Sequence, residues 1–95
     1  MAEKKERKAV EIVDMAPAFV KETIKKPFES VIGVSKEKGG GWKLLVEVLE
    51  RRAIPDAQDL IGRYELSLSE DGGVQGFNQV RVRRRSDREG LEFMT

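Results

Sequence analysis

The sequence predicts an α+β domain, in which an N-terminal helix packs on one face of a three-stranded antiparallel meander sheet. From Gly41 to Arg85, apolar and polar residues alternate, which is typical of strands that are half-buried on one sheet face. Upstream, apolar residues recur at roughly the three-to-four-residue spacing of an amphipathic helix: Val10, Val13, Phe19 or Val20, and Ile24. Together these two patterns indicate a sheet with one helix-covered face.

We assign the helical region to residues 10–33 and expect a kink or break near Pro17. A proline deep in a helix removes a backbone donor and clashes with the preceding turn, and Asp14 could cap a second helix just before it. Residues 27–34 open on a proline, which favours a short final helical turn. Residues 1–9 are mostly charged, and we expect this N-terminus to be disordered.

The sheet is assigned to residues 41–85, with strands near 42–52, 60–69 and 74–85. Asp71 and Gly72 form a tight hairpin signal between the second and third strands. The single domain then covers residues 10–86, and residues 87–95 are expected to form a flexible C-terminal tail.

In the third strand the alternation places Val80 and Val82 toward the core. Phe77 is out of phase with Val80, which predicts a β-bulge near Asn78. In the first two strands Trp42 and Tyr64 share the apolar phase, so both are expected in the core.

The composition argues against an enzyme. The 95 residues include no histidine and no cysteine, which removes the commonest general base, the commonest metal ligand and any thiolate site. Eighteen basic and 17 acidic residues nearly balance, so net charge indicates neither nucleic acid nor a membrane surface as a partner. No apolar run is long enough to span a bilayer, and we expect a cytoplasmic protein without cofactor or metal.

Two carboxylates in the loop after the first strand invite a catalytic or metal-binding interpretation. Asp56 and Asp59 lie three residues apart, with Glu50 nearby. They could bind calcium or magnesium or act as an acid–base pair, but the regular ligand spacing of a calcium loop is missing. Asp59 is also a natural helix or turn cap just before Leu60, and this structural role is the favoured interpretation.

The face of the sheet opposite the core is the candidate partner-binding surface. Its third strand carries a row of arginines, Arg81, Arg83 and Arg85. The row could be paired with acids on neighbouring strands, dock an acidic protein surface, or contact phosphates. Nucleic acid is the least favoured of the three because no aromatic residue shares this face for base stacking.

Apolar residues on that same face point to protein binding. Leu45, Leu49 and Ile61 would form an exposed apolar patch if the helix covers only the other side. Exposed apolar patches mark interaction sites. These three residues and the three arginines make up the predicted partner-binding set.

An ordered set of residues resembles the gas vesicle protein O family. It runs through the strands and the Ile-Pro-Asp loop: Gly41, Trp42, Val46, Glu47, Val48, Glu50, Ile54, Pro55, Asp56, Asp59, Tyr64, Glu65, Asp71 and Gly72. A lead-in from Pro27 to Val34 and the arginine-rich last strand are similar too, so the resemblance covers roughly residues 27–86.

That resemblance implies an accessory protein for the assembly of the gas-filled shell that gives microbes buoyancy. Its partners would be other gas vesicle proteins, and it would have no enzymatic activity. A regulator of gas vesicle gene expression and a minor structural component of the shell remain alternatives.

Overall fold

The structure, a computed structural model, describes residues 8–86 as a helix on a four-stranded antiparallel sheet. Helix α1 spans Ala9–Phe19 and continues as a π-helical segment over Val20–Ile24. The strands are β1 (Phe28–Lys36), β2 (Trp42–Arg51), β3 (Leu60–Leu68) and β4 (Val74–Arg84). Their order in the sheet is their order in the chain, which makes the sheet a meander. The predicted C-terminal tail and most of the predicted disordered N-terminus lie outside the described residues.

The prediction of a three-stranded sheet is wrong, because residues 28–36 form β1 instead of a final helical turn. β1 pairs with β2 through two register shifts, between Phe28 and Ser30 and between Val31 and Gly33. Each shift adds one residue to the strand. Phe28, Val31 and Val34 therefore all pack toward the core although they stand three residues apart, a spacing that resembles a helix.

Of the predicted kink or break near Pro17, the break is wrong, because the helix continues through Pro17. α-Helical conformation continues to Phe19, and the chain then widens into the π-helical segment. The amide of Lys25 donates to Val20 O at 2.8 Å, which is the i to i−5 bond of a π turn. Lys25 adopts a left-handed conformation with a φ of 64° and ends the helix.

The hydrophobic core lies between the helix and one side of the sheet, which we call the helix side. Ile12, Ala16 and Val20 from the helical region are fully buried there. Their partners in this core come from β2 and β3: Trp42, Leu44, Val46, Val48, Tyr64, Leu66 and Leu68. Trp42 and Tyr64 thus occupy the core, as expected. Helix α1 packs mainly on β1 and β2.

Strand β4 contains a bulge that changes which residues face the core. Tyr64 pairs with Gln79 while Arg63 pairs with Arg81, so Val80 is the extra residue. The bulge lies two residues beyond the expected position at Asn78. The prediction that Val80 and Val82 point into the core is wrong, since both are exposed.

Candidate partner-binding surface

The side of the sheet opposite the helix, which we call the far side, carries a buried carboxylate bound by two arginines. Glu47 on β2 lies directly opposite Arg63 on β3 and is almost fully buried. Arg63 donates to Glu47 Oε2 at 3.1 Å, and Arg83 donates to both carboxylate oxygens at 3.1 Å and 2.8 Å. The Arg83 bond is the main cause that lowers the pKa of Glu47; burial opposes it, and the Arg63 bond adds to it. The ionised Glu47 therefore links β2, β3 and β4.

A second ion-pair cluster joins the end of β4 to β1. Arg85 donates to the two carboxylate oxygens of Glu29 at 2.9 Å and 3.1 Å, and its Nε donates to Asp59 Oδ2 at 3.2 Å. These bonds, with Glu29 first, raise the pKa of Arg85 above its usual range. The cluster thus links Glu29 near the start of β1, one edge of the sheet, to Arg85 just after β4, the other edge, with Asp59 from the β2–β3 loop.

The predicted apolar patch on the far side does not exist as an exposed surface. Leu49 and Ile61 pair across β2 and β3 but are only 5% and 1% exposed. Ile61 also lies opposite Arg83, whose guanidinium reaches over to Glu47. We attribute the burial of both residues to the side chains of the two ion-pair clusters that cross this end of the sheet. Leu45, at the other end, is partly buried.

The arginine row therefore divides into residues with different roles. Arg83 and Arg85 form the ion pairs described above, and this matches the paired alternative raised by the sequence. Arg81 lies opposite Arg63 with an exposed side chain. A cross-strand pair of like charges is unfavourable in isolation, and Glu47 offsets it by binding Arg63.

A polar cluster on the helix side surrounds the only tyrosine. The hydroxyl of Tyr64 donates to Glu50 Oε2 at 2.5 Å, and Gln79 Nε2 donates to the same oxygen at 2.9 Å. Lys26 Nζ lies 3.6 Å from Glu50 Oε1. The Glu50 side chain lies against Gly62, where a Cβ atom would clash with it. Burial first, and then the bond to the carboxylate, raise the pKa of Tyr64 to about 12.

The loop between β2 and β3 is organised by Asp59 and has no metal-binding geometry. Asp59 is buried and accepts a hydrogen bond from the amide of Ala53 at 2.7 Å. Asp56 begins a short 3-10 turn and is exposed, and Ile54 before the cis Pro55 is fully exposed. Within residues 8–86, no three acidic residues are grouped so that they could hold a metal ion.

Sequence reasoning missed an exposed apolar surface on β4. Phe77, Val80 and Val82 are 46%, 47% and 47% exposed. Phe77 pairs with Leu66, and Val82 pairs with Gly62, so both lie on the helix side. They are at the β4 edge, away from β1 and β2, on which α1 mainly packs. A search for bulge-compatible spacing, in place of strict alternation, would have placed Phe77 and Val82 on one side of the strand.

The fold and this surface define a small helix-backed sheet protein with an apolar and basic edge strand. The chain matches the family described as gas vesicle synthesis protein GvpO over residues 1–89. The chain belongs to this family. No solved structure matches it.

Curated relatives carry the same family designation. The chain is 43% identical to gas vesicle protein O of Haloferax mediterranei over 67 residues, covering 70% of this chain and 48% of the relative. It is 45% identical to gas vesicle protein O1 of Halobacterium salinarum over 60 residues, covering 63% and 50%. The chain thus spans about half the length of these relatives. In the part of the chain that the structure describes, no helix is long and apolar enough to cross a membrane.

Proposed function

We propose that this chain is a non-enzymatic accessory protein that supports gas vesicle assembly by binding other gas vesicle proteins through β4. The observation that carries the proposal is the exposed apolar strip Phe77, Val80 and Val82 on an edge strand. Three exposed apolar residues within one strand favour an interaction site, whereas single exposed apolar residues are ordinary. Family membership supplies the gas vesicle context.

This proposal moves the binding surface away from most of the residues suggested by the sequence. Leu49 and Ile61 are buried, and Arg83 and Arg85 hold the sheet together through ion pairs. A partner could reach them only by opening those pairs, at the cost of leaving buried charge unpaired. Arg81 remains in the proposed surface because it is exposed on β4 itself. Leu45 lies on β2, away from this edge.

The proposal is tested by measuring binding to each of the other proteins encoded with this chain. The variant Phe77→Ser/Val82→Ser removes the apolar strip, and we expect roughly tenfold weaker capture of the partner, given the apolar area lost. The matched control is Ile32→Ser, which changes a similarly exposed apolar residue (42%) on the opposite edge strand. Circular dichroism should show that both variants keep the fold.

Equal binding by both variants would contradict the proposed surface. The role in assembly is tested separately by deleting the gene in its host and examining the cells by electron microscopy. We expect absent or malformed gas vesicles, and rescue by the unchanged gene. Normal vesicles in the deletion strain would rule out an assembly role. Fractionation of the same cells would test the predicted cytoplasmic location.

A further inference from the structure

A groove opens on the far side of the sheet where one cross-strand row begins with a glycine. Gly33 on β1 pairs with Leu45 on β2, and Leu45 pairs in turn with Glu65 on β3. No atom of the described residues lies within 4 Å of the position that a Cβ atom of Gly33 would occupy. Leu45 beside it is only partly buried. The missing side chain therefore leaves a space next to an apolar residue.

This space, which we call the Gly33 groove, has the size and the lining to receive an aliphatic side chain. Its volume is about 290 Å³, and a water molecule in the liquid takes up only about 30 Å³. The groove is lined by residues 33–35 of β1, residues 43–45 of β2, and Glu65. Its two charged lining residues, Lys43 and Glu65, pair with each other at 3.7 Å. A concave lining of apolar groups whose charges are already paired favours an uncharged apolar occupant.

The chain itself presents an aliphatic side chain of this kind. Ile54, in the loop between β2 and β3, is 99% exposed. Hydrogen bonds hold the loop on both sides of it: the amide of Ala53 donates to Asp59 Oδ1 at 2.7 Å, and the amide of Gln58 donates to Pro55 O at 3.0 Å. A segment that is already held in place loses little conformational entropy on binding. Ile54 is therefore pre-organised as an anchor.

A second copy of the chain, and not the same chain, can bring this anchor to the groove. Strand β2 runs on for six residues after Leu45, about 20 Å along a strand, before the loop that carries Ile54 begins. Within its own chain Ile54 is also fully exposed, so it contacts no groove there. The net charge of +1 gives little long-range repulsion between two copies.

We propose that Ile54 of one copy inserts into the Gly33 groove of a second copy, so that the protein associates head to tail. The two surfaces differ, which makes the contact heterologous: each copy supplies one isoleucine and offers one groove. Such a contact either closes into a ring or continues as a chain of copies. The contact uses neither Phe77 nor Val82, so this inference goes beyond the proposed function and does not depend on it.

Self-association is measured with the unchanged chain by sedimentation velocity between about 10 μM and 1 mM, the range for a weak contact with one anchor. We expect the average mass to rise with concentration. Ile54→Ser removes the anchor and Gly33→Leu fills the groove, and each should weaken association roughly tenfold. Neither should unfold the chain, because Ile54 is exposed and a side chain at Gly33 meets open space.

Matched controls change similar residues elsewhere. Val10→Ser removes an apolar residue that is 63% exposed on α1, and Gly76→Leu adds a side chain at another open glycine, on β4. Both should leave association unchanged. Circular dichroism checks the fold of every variant. Should Gly33→Leu unfold, Leu45→Ser takes its place, because it removes the apolar lining of the groove.

Mixing the two single variants distinguishes a head-to-tail contact from a symmetric one. Ile54→Ser keeps its groove and Gly33→Leu keeps its isoleucine, so their mixture should form one-to-one dimers that do not grow further. The double variant Ile54→Ser/Gly33→Leu has neither surface and should associate with neither single variant.

Three outcomes would overturn this inference: a chain that stays monomeric up to about 1 mM, single variants that associate like the unchanged chain, or a mixture that fails to restore the lost association. Association that disappears with Phe77→Ser/Val82→Ser would instead show a contact through β4 and would also contradict it. Capture of a gas vesicle protein that depends on Phe77 and Val82 would support the proposed function in each of these cases.

Discussion

The two sides of the four-stranded sheet are buried by different means. On the helix side, α1 and the π-helical segment cover an apolar core, with Leu44 and Leu66 fully buried. On the far side, Leu49 and Ile61 are buried although no helix among the described residues lies over them. Glu47 and Arg83 form an ion pair on that side, and Arg85 pairs with Glu29. We therefore attribute apolar burial on the far side to charged side chains, whereas burial on the helix side depends on packing.

The largest expected effect is the loss of stability when a cavity is made on either side of the sheet. Leu66→Ala should lower the free energy of unfolding by about 3 kcal/mol, since the rigid core cannot fill the cavity. Ile61→Ala should cost less, about 2 kcal/mol, because the long arginine side chain beside it can move into the space. Urea unfolding measures both values. An equal or larger loss for Ile61→Ala would show that the far side is packed as rigidly as the core.

A smaller loss of stability is expected from removing the charge of Glu47, which binds two arginines on the far side. Glu47→Gln leaves Arg63 and Arg83 without their shared carboxylate and should cost about 2 kcal/mol at pH 7. The matched control is Glu65→Gln on the same side of the sheet. Its pair with Lys43, at 3.7 Å, is more exposed, so the cost should be below about 0.5 kcal/mol.

The same pair of variants gives a pH test. The folded-state pKa of Glu47 is lowered below its ordinary value of 4.5. The unfolded chain therefore binds this proton first as the pH falls, and the stabilisation that Glu47 provides is complete above 4.5 and lost below it. We expect unfolding curves of Glu47→Gln to depend less on pH in the acid range than those of Glu65→Gln. Parallel dependences would show that Glu47 is not preferentially ionised in the fold.

The smallest effect concerns the polar cluster around Tyr64 on the helix side. Because Tyr64 is the only tyrosine, its ultraviolet absorbance reports one ionisation. We expect a midpoint near 12 in the folded chain, and a lower midpoint in Glu50→Gln, which removes the neighbouring carboxylate charge. Stabilisation from the neutral Tyr64 is complete below pH 10 and lost as the pH rises through 12. An unchanged midpoint in Glu50→Gln would mean that burial alone raises the pKa.

Regular alternation was the part of the fold that could be predicted locally. β2 and β3 obey it, and their core residues, including Trp42 and Tyr64, are confirmed. β1 was missed because its two bulges place Phe28, Val31 and Val34 on the same side at three-residue spacing. A sequence pattern cannot reveal a bulge without knowledge of the partner strand, since the extra residue is defined by the pairing.

The candidate site likewise could be predicted only in part from local sequence patterns. The sequence allowed the arginine row to pair with acids on neighbouring strands, and the structure joins Arg83 with Glu47 and Arg63 in one ion-pair cluster. Sequence reasoning could not show that Leu49 and Ile61 would be buried, because side chains from distant strands cross over them. It also missed the exposure of Phe77 and Val82, which depends on how far α1 extends across the sheet.

The sequence by itself determined the α+β class, the apolar phases of β2 and β3, the turn at Asp71 and Gly72, and the resemblance to the gas vesicle family. These follow from local periodicity, turn chemistry and ordered residue identity. Only the tertiary structure decided that a fourth strand, β1, lies under the helix and that β4 is the other edge of the sheet within residues 8–86. The physical reason is that strand pairing and helix coverage join residues far apart in the chain, so no local pattern specifies which surface is left open.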